Sequence, residues 1–207
     1  MGNTIIPGVE TGDFLQRALV DGYSMQTPLI DPDVGASVSD ELAAAGLLVD
    51  KKEMVPTSEF ESRGMRVADL LHGGLNRVLS EIEGSSDDHL PYFSVRVFEP
   101  GVRGTDIHRN DRIIGPWAIG VTLRGQAPFN VYTHDKLSGQ KTLPLRSNGT
   151  DPAPIETMDA SAGSAWALYT GNEQLPHSSG IVKSETQRVL LILYAANNWR
   201  RLSNLSA

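Results

Sequence analysis

The stretch Leu175–Leu193, LPHSSGIVKSETQRVLLIL, decides how the rest of this 207-residue chain is read. His177 follows a proline, and eleven positions later Arg188 opens the apolar run RVLLILYA. Val, Leu and Ile in close succession read as a buried strand. A guanidinium at the mouth of such a strand needs an anion, because a charge taken out of water without a partner is costly. The planar fork of Arg188 suits a bidentate grip on a carboxylate. Among nearby residues, Glu185 competes for that grip as a structural ion-pair partner.

Upstream of this stretch the sequence reads as a series of short β-rich runs: Tyr92–Phe98, Trp117–Arg124, Phe129–Tyr132, Lys141–Leu145 and Ser164–Tyr169, with Arg188–Ala195 closing the series. Gly, Pro, Asn and Asp separate them. The first third has a different period. Asp13–Val20 is a short amphipathic piece, and Ser39–Leu48 opens on the capping sequence SDE. Between Phe60 and Ile82, apolar residues recur at helical spacing, with Gly73–Gly74 as a candidate kink. EGSSDDHLP then forms a polar loop, and RSNGTDPAPIE (Arg146–Glu156) is the most flexible-looking insertion. Helices followed by short strands predict an α+β, mainly β fold: a β-sandwich or jelly roll with the N-terminal helices on one face. One domain over 1–207 is expected, mostly helical over 1–90 and with the β core over 91–198.

Composition limits the chemistry. The chain is 40% hydrophobic and 21% charged, with a formal charge of −7 from 18 basic and 25 acidic residues. That argues against nucleic-acid binding through a broad basic surface. No cysteine is present, which excludes disulfides, thiolate nucleophiles and Cys-ligated metals. No run approaches the roughly 18 apolar residues of a membrane span, and MGNTIIPGVETGDF lacks a basic-then-apolar signal pattern. A cytoplasmic protein acting on a small molecule is expected, with no membrane or nucleic-acid partner and the oligomeric state open.

Of the five histidines, His72 and His89 read as helix-side or surface residues, and His134 as a hairpin tip. His108 and His177 stand apart. His108 lies at a strand end and is followed by Arg109, Asn110 and Asp111, while His177 precedes the last strong strand. Two distant histidines and a nearby carboxylate have the composition of a 2-His-1-carboxylate iron(II) site, which leaves coordination positions open.

With Arg188 added, the constellation resembles the iron(II)/2-oxoglutarate-dependent dioxygenase family. The lead-in FEPGVRGTDIH and the following GPWAIGVTLRGQAPFNVY resemble that family's approach strand, central strand and hairpin, and the likeness spans Tyr92–Ala196. It implies a double-stranded β-helix, cupin-like, that binds iron(II) through His108, His177 and a third residue. It further implies that Arg188 binds the distal carboxylate of the cosubstrate 2-oxoglutarate, with Thr122 as a hydroxyl donor to the same group. The implied activity is that of a hydroxylase consuming O2 and releasing succinate and CO2.

Two departures from the family pattern stand out. The carboxylate position two after the first histidine holds Asn110, with Asp111 one later. Charge balance favours Asp111 as the third ligand. Strand geometry favours Asn110, since i and i+2 share a face, unless a bulge intervenes. Asn110 is too large for the halide site of the family's halogenating branch. The second departure is Leu190, which stands where many relatives carry serine two after the arginine; Thr122 substitutes for that contact. Arg96, Arg103 and Arg109 are placed near the site mouth. Two other classes compete: a cupin-type metal protein, an isomerase or hydrolase without an oxo acid, and a non-catalytic binding module on the same fold.

Overall fold

The computed structural model describes residues 11–48, 54–109, 115–133, 142–143, 152–169 and 175–195. Its helices are α1 (Thr11–Asp21), α2 (Pro32–Ala44), α3 (Ser58–Ser62) and α4 (Arg66–Glu83). Its strands are β1 (Tyr23–Gln26), β2 (Val55–Pro56), β3 (Tyr92–Phe98), β4 (Arg103–His108), β5 (Trp117–Arg124) and β6 (Gln126–Val131). They continue as β7 (Thr142–Leu143), β8 (Glu156–Ser161), β9 (Ala165–Tyr169), β10 (His177–Ile181) and β11 (Arg188–Tyr194).

Two sheets form, with orders β1-β9-β5-β11-β3-β2 and β7-β4-β10-β6-β8. Every pairing is antiparallel. Strand β11 explains the layering. Its Val189, Leu191 and Leu193 join Phe14, Leu15, Leu42, Leu75 and Leu79 in the core between the larger sheet and the helices. Its alternate residues, Leu190, Ile192 and Tyr194, face Phe129, Val131 and Met158 of the smaller sheet. Since successive side chains point to opposite faces, a strand covered on both sides must be apolar throughout. The run RVLLILY is that case, and the chain is a β-sandwich with helices on one outer face.

Helix boundaries depart from the sequence reading in two places. Helix α2 begins at Pro32, not near Ser39: Asp31 accepts a hydrogen bond from the Asp33 amide, and proline occupies the first turn. Ser39 is instead a buried mid-helix residue. The expected kink at Gly73–Gly74 is absent, and α4 runs unbroken from Arg66 to Glu83. The interruption falls earlier, at Gly64, whose φ of 69° ends α3. No side chain of its own first residues caps α4. The Glu41 carboxylate of α2 does so, accepting from the Val67 and Ala68 amides at 3.0 Å.

This single carboxylate ties the two longest helices together, satisfying donors that a helix start leaves unpaired and adding a favourable charge at the positive end of the helix dipole. Glu41→Ala should lower the unfolding free energy by about 1–2 kcal/mol, with Glu41→Gln losing less; urea denaturation of the three proteins measures it.

Candidate active site

The smaller sheet brings the two singled-out histidines face to face. His108 is the last residue of β4, His177 the first of β10, and the antiparallel register pairs them directly. Their ring centroids lie 4.4 Å apart. Each ring is held the same way, with Nδ1 against a backbone carbonyl two residues earlier: Asp106 at 2.8 Å for His108, Leu175 at 3.2 Å for His177. A carbonyl oxygen only accepts, so each Nδ1 carries the proton and Nε2 is the lone-pair nitrogen. Burial, and then the neighbouring His108, push the His177 pKa well below the ordinary histidine value. It is therefore neutral at pH 7, the state in which an imidazole binds a metal. A carbonyl or carboxylate on the far ring nitrogen is also the usual way a metal-bound histidine is oriented.

Arg188 opens β11 in the larger sheet and reaches Ser179, two residues along β10 from His177. Its side chain is completely buried. It donates through one terminal nitrogen to the Ser179 hydroxyl, and through the other to Thr122 Oγ1 at 3.3 Å. Its Nε–H has no acceptor among the described residues. Burial alone lowers its pKa to about 10. Glu185, the competing partner, is exposed, whereas the guanidinium is fully buried. The fork is thus held by two neutral hydroxyls, with no carboxylate on it among the described residues.

The turn between β5 and β6 makes that placement feasible. Gly125 adopts φ 74°, and a Cβ on it would come within 2.7 Å of the Arg188 Cα. The backbones of the turn and the arginine can therefore be nearly in contact. Leu190, two after the arginine, pairs directly with Thr122 of β5, so the hydroxyl reaching Arg188 comes from the adjacent strand.

The other candidates are placed as follows. Asn110 and Asp111 lie outside the described residues, as does His134. Among the described residues no group of three or more His, Cys, Asp or Glu gathers. His72 packs against Phe60 and lies 3.1 Å from the Leu90 carbonyl, away from the pair. His89 sits beside Glu83 at 3.7 Å, also on the helical side. Arg109 follows His108 directly, and Arg96 lies over the Phe98 ring at 5.2 Å, opposite Leu190. Arg103 pairs with Ile181 at the far end of β4, so it is not beside the histidines.

The sequence reading missed two contributors. Ser179 shares a face with His177 by strand alternation and meets the guanidinium. Trp166 on β9 stacks on Phe129 at 4.7 Å and lies 6.1 Å from the His177 ring. The run SAWALY reads as a short strand, and nothing in sequence tells which of its faces meets the histidines.

A buried cation that gains nothing from a fixed countercharge predicts an unusual stability outcome. Arg188→Met should leave the ligand-free protein within about 1 kcal/mol of the parent, or more stable than it. A loss of several kcal/mol on urea denaturation would mean that an anion of the chain itself compensates the guanidinium.

The described geometry is that of a known fold. No protein-family model and no curated protein matches the sequence. Among solved structures, a prolyl-4-hydroxylase from Pseudomonas putida is similar with a TM-score of 0.56 at 12% identity, covering 90% of this chain and 91% of that one. AviO1 from Streptomyces viridochromogenes is similar with a TM-score of 0.53 at 17% identity, covering 90% and 95%. A Trichoplax adhaerens prolyl hydroxylase, solved in complex with a peptide fragment of the hypoxia inducible factor oxygen degradation domain, gives 0.58 at 10% identity, covering 93% and 92%. Nearly the full length of each chain is matched at very low identity, so what this protein shares with these structures is the fold.

Proposed function

We propose that the protein is an iron(II)- and 2-oxoglutarate-dependent oxygenase that hydroxylates a small molecule and releases succinate and CO2. The observation that carries this reading is Arg188: a fully buried guanidinium on two hydroxyls, in the same sandwich as two paired, oriented imidazoles. A metal-binding fold that used no oxo acid would have no need of such a cation. The strand order supports reading the sandwich as a double-stranded β-helix, because β3 to β6 and β8 to β11 fall in both sheets with neighbours from opposite ends of the series. Residues 91–198 would carry the site and the N-terminal helices would back the larger sheet.

In this reading His108 and His177 hold the iron through Nε2, and Asp111, or Asn110 in its place, completes the set. Iron(II), with the oxo acid and O2, supplies the oxidising power for inserting oxygen into a C–H bond. The chain's own part is positional. Arg188 fixes the distal carboxylate, Thr122 and Ser179 fix the arginine, and Leu190, Phe129 and Trp166 keep water from the space between.

Two measurements bear on the reading. With manganese(II) in place of iron, the parent should bind 2-oxoglutarate in a calorimetric titration. Arg188→Met should lose about 30-fold or more of that affinity, at about 2 kcal/mol for a truncated charge contact. Arg188→Lys should lose less, because the charge remains without the fork. A parent that binds no oxo acid, or a methionine variant that binds it equally well, would remove the assignment.

The metal set has its own test. His177→Ala should abolish manganese(II) binding in a protein that still folds. Asp111→Ala should abolish succinate formation while Asn110→Ala leaves metal affinity nearly intact; the reverse pattern would assign the third position to Asn110.

A further inference from the structure

Trp166 carries a donor that meets no acceptor among the described residues. The residue is 3% exposed, and its Nε1–H has no hydrogen-bond partner among the described residues. An indole nitrogen only donates, and a buried donor left unpaired costs about 1–3 kcal/mol. The ring cannot turn away to find water, because it is clamped on two sides. Phe129 stacks on it at 4.7 Å with planes 5° apart. On β5, Gly120 pairs directly with Trp166, and a Cβ there would come within 2.2 Å of Cε2 and 2.6 Å of Nε1. The pyrrole edge of the indole therefore occupies the volume that any other residue at position 120 would fill.

This clamp sets the donor among the groups that the oxo acid would meet. The indole centroid is 6.1 Å from the ring of His177, and Phe129, on which it stacks, is 5.8 Å from the same ring. Gly120 shares its face of β5 with Thr122, the residue that receives the Arg188 guanidinium. Same-face neighbours on a strand are about 6.5 Å apart. The indole thus lies beside His177, with its N–H against Gly120, one same-face step along β5 from the arginine's anchor. Arg188, Thr122 and Ser179 serve one end of a ligand stretched across this space; Trp166 is on the side of the other.

We propose that Trp166 Nε1–H is a further anchoring donor for the oxo acid, bonding an oxygen at its keto-acid end, with Gly120 kept bare so that the indole can reach that position. The inference rests on the oxygenase reading above. It assigns the two ends of one ligand to different donors: a charged fork for the distal carboxylate, and a single neutral N–H for the head. A hydrogen bond to a charged oxygen made in a dry site discriminates strongly against ligands that lack an acceptor there.

The experiment separates this inference from the reading on which it rests. Trp166→Phe keeps a ring on Phe129 and removes only the N–H and part of the volume. In manganese(II)-loaded protein its affinity for 2-oxoglutarate should fall about tenfold or more, equivalent to about 1.4 kcal/mol, while manganese(II) affinity stays at the parent value. A purely structural role would not move a second readout, the indole N–H resonance of Trp166 in 15N-labelled parent protein loaded with diamagnetic zinc(II). 2-Oxoglutarate should shift that resonance downfield, and saturating pyruvate, which has the keto-acid head and no distal carboxylate, should do the same in both the parent and Arg188→Met. An unmoved indole resonance, or a folded Trp166→Phe variant with parental affinity, overturns the inference and leaves the oxygenase reading intact. A parent protein that binds no oxo acid overturns both.

Discussion

Burying the guanidinium of Arg188 is the constraint around which the site is arranged. A cation at zero exposure loses its hydration, and among the described residues its hydrogen-bond partners are two neutral hydroxyls, of Ser179 and Thr122. Hydroxyl dipoles orient the fork without neutralising it, so the charge stays available in a medium where it acts strongly. Each supporting piece serves that outcome. Gly125 lets the turn pass against the arginine's own backbone, and β11 is paired with β3 along its full length and with β5 from Val189 onward. Under the proposed function the charge is unfavourable for the empty protein and is used when the oxo acid arrives, the pattern expected where stability is given up for function.

The same strand links the site to the core. Because β11 is covered by helices on one face and by the smaller sheet on the other, its position is over-determined by apolar contacts on both sides. That rigidity is what a preformed site requires, since small misplacements of a positioning group weaken it sharply. The histidines gain theirs differently. They lie in the smaller sheet at the ends of β4 and β10, with each ring tied to a carbonyl two residues back along its own chain. Local tethering sets the ring, and strand pairing sets the distance between rings.

Much of this was legible in sequence, for identifiable reasons. The two-sided burial of RVLLILY leaves an apolar run that no loop or surface helix would show, and a lone Arg at its start is conspicuous. The short β-rich runs that follow a helical first third mark two layers of sheet and one of helices. What stayed hidden depends on contacts between distant residues. The SDE at Ser39 has the form of a cap, yet Asp31–Pro32 had already started that helix, and only one of the two could begin it. Gly73–Gly74 is tolerated inside α4 because the buried stripe Ala68, Leu71, Leu75, Val78 and Leu79 holds the helix against the sheet. Ser179 and Trp166 carried no recognisable pattern; each matters because of what faces it across the sandwich, which strand alternation alone cannot supply.

Leu190 shows how such a site absorbs a departure from pattern. A hydroxyl two residues after an arginine on the same strand shares its face at about 6.5 Å, whereas a residue directly opposite on the neighbouring strand lies at about 5 Å. Leu190 and Thr122 are such an opposite pair, and the Thr122 hydroxyl is the one that accepts from the guanidinium, at 3.3 Å. Moving the hydroxyl to β5 frees position 190 to be apolar, and Leu190 then packs with Phe129 and Trp166 in the sandwich interior. The exchange keeps the contact to the arginine and makes the space between it and the histidines drier. A drier space strengthens both the grip of the charged fork on a carboxylate and the need of the Trp166 N–H for an acceptor.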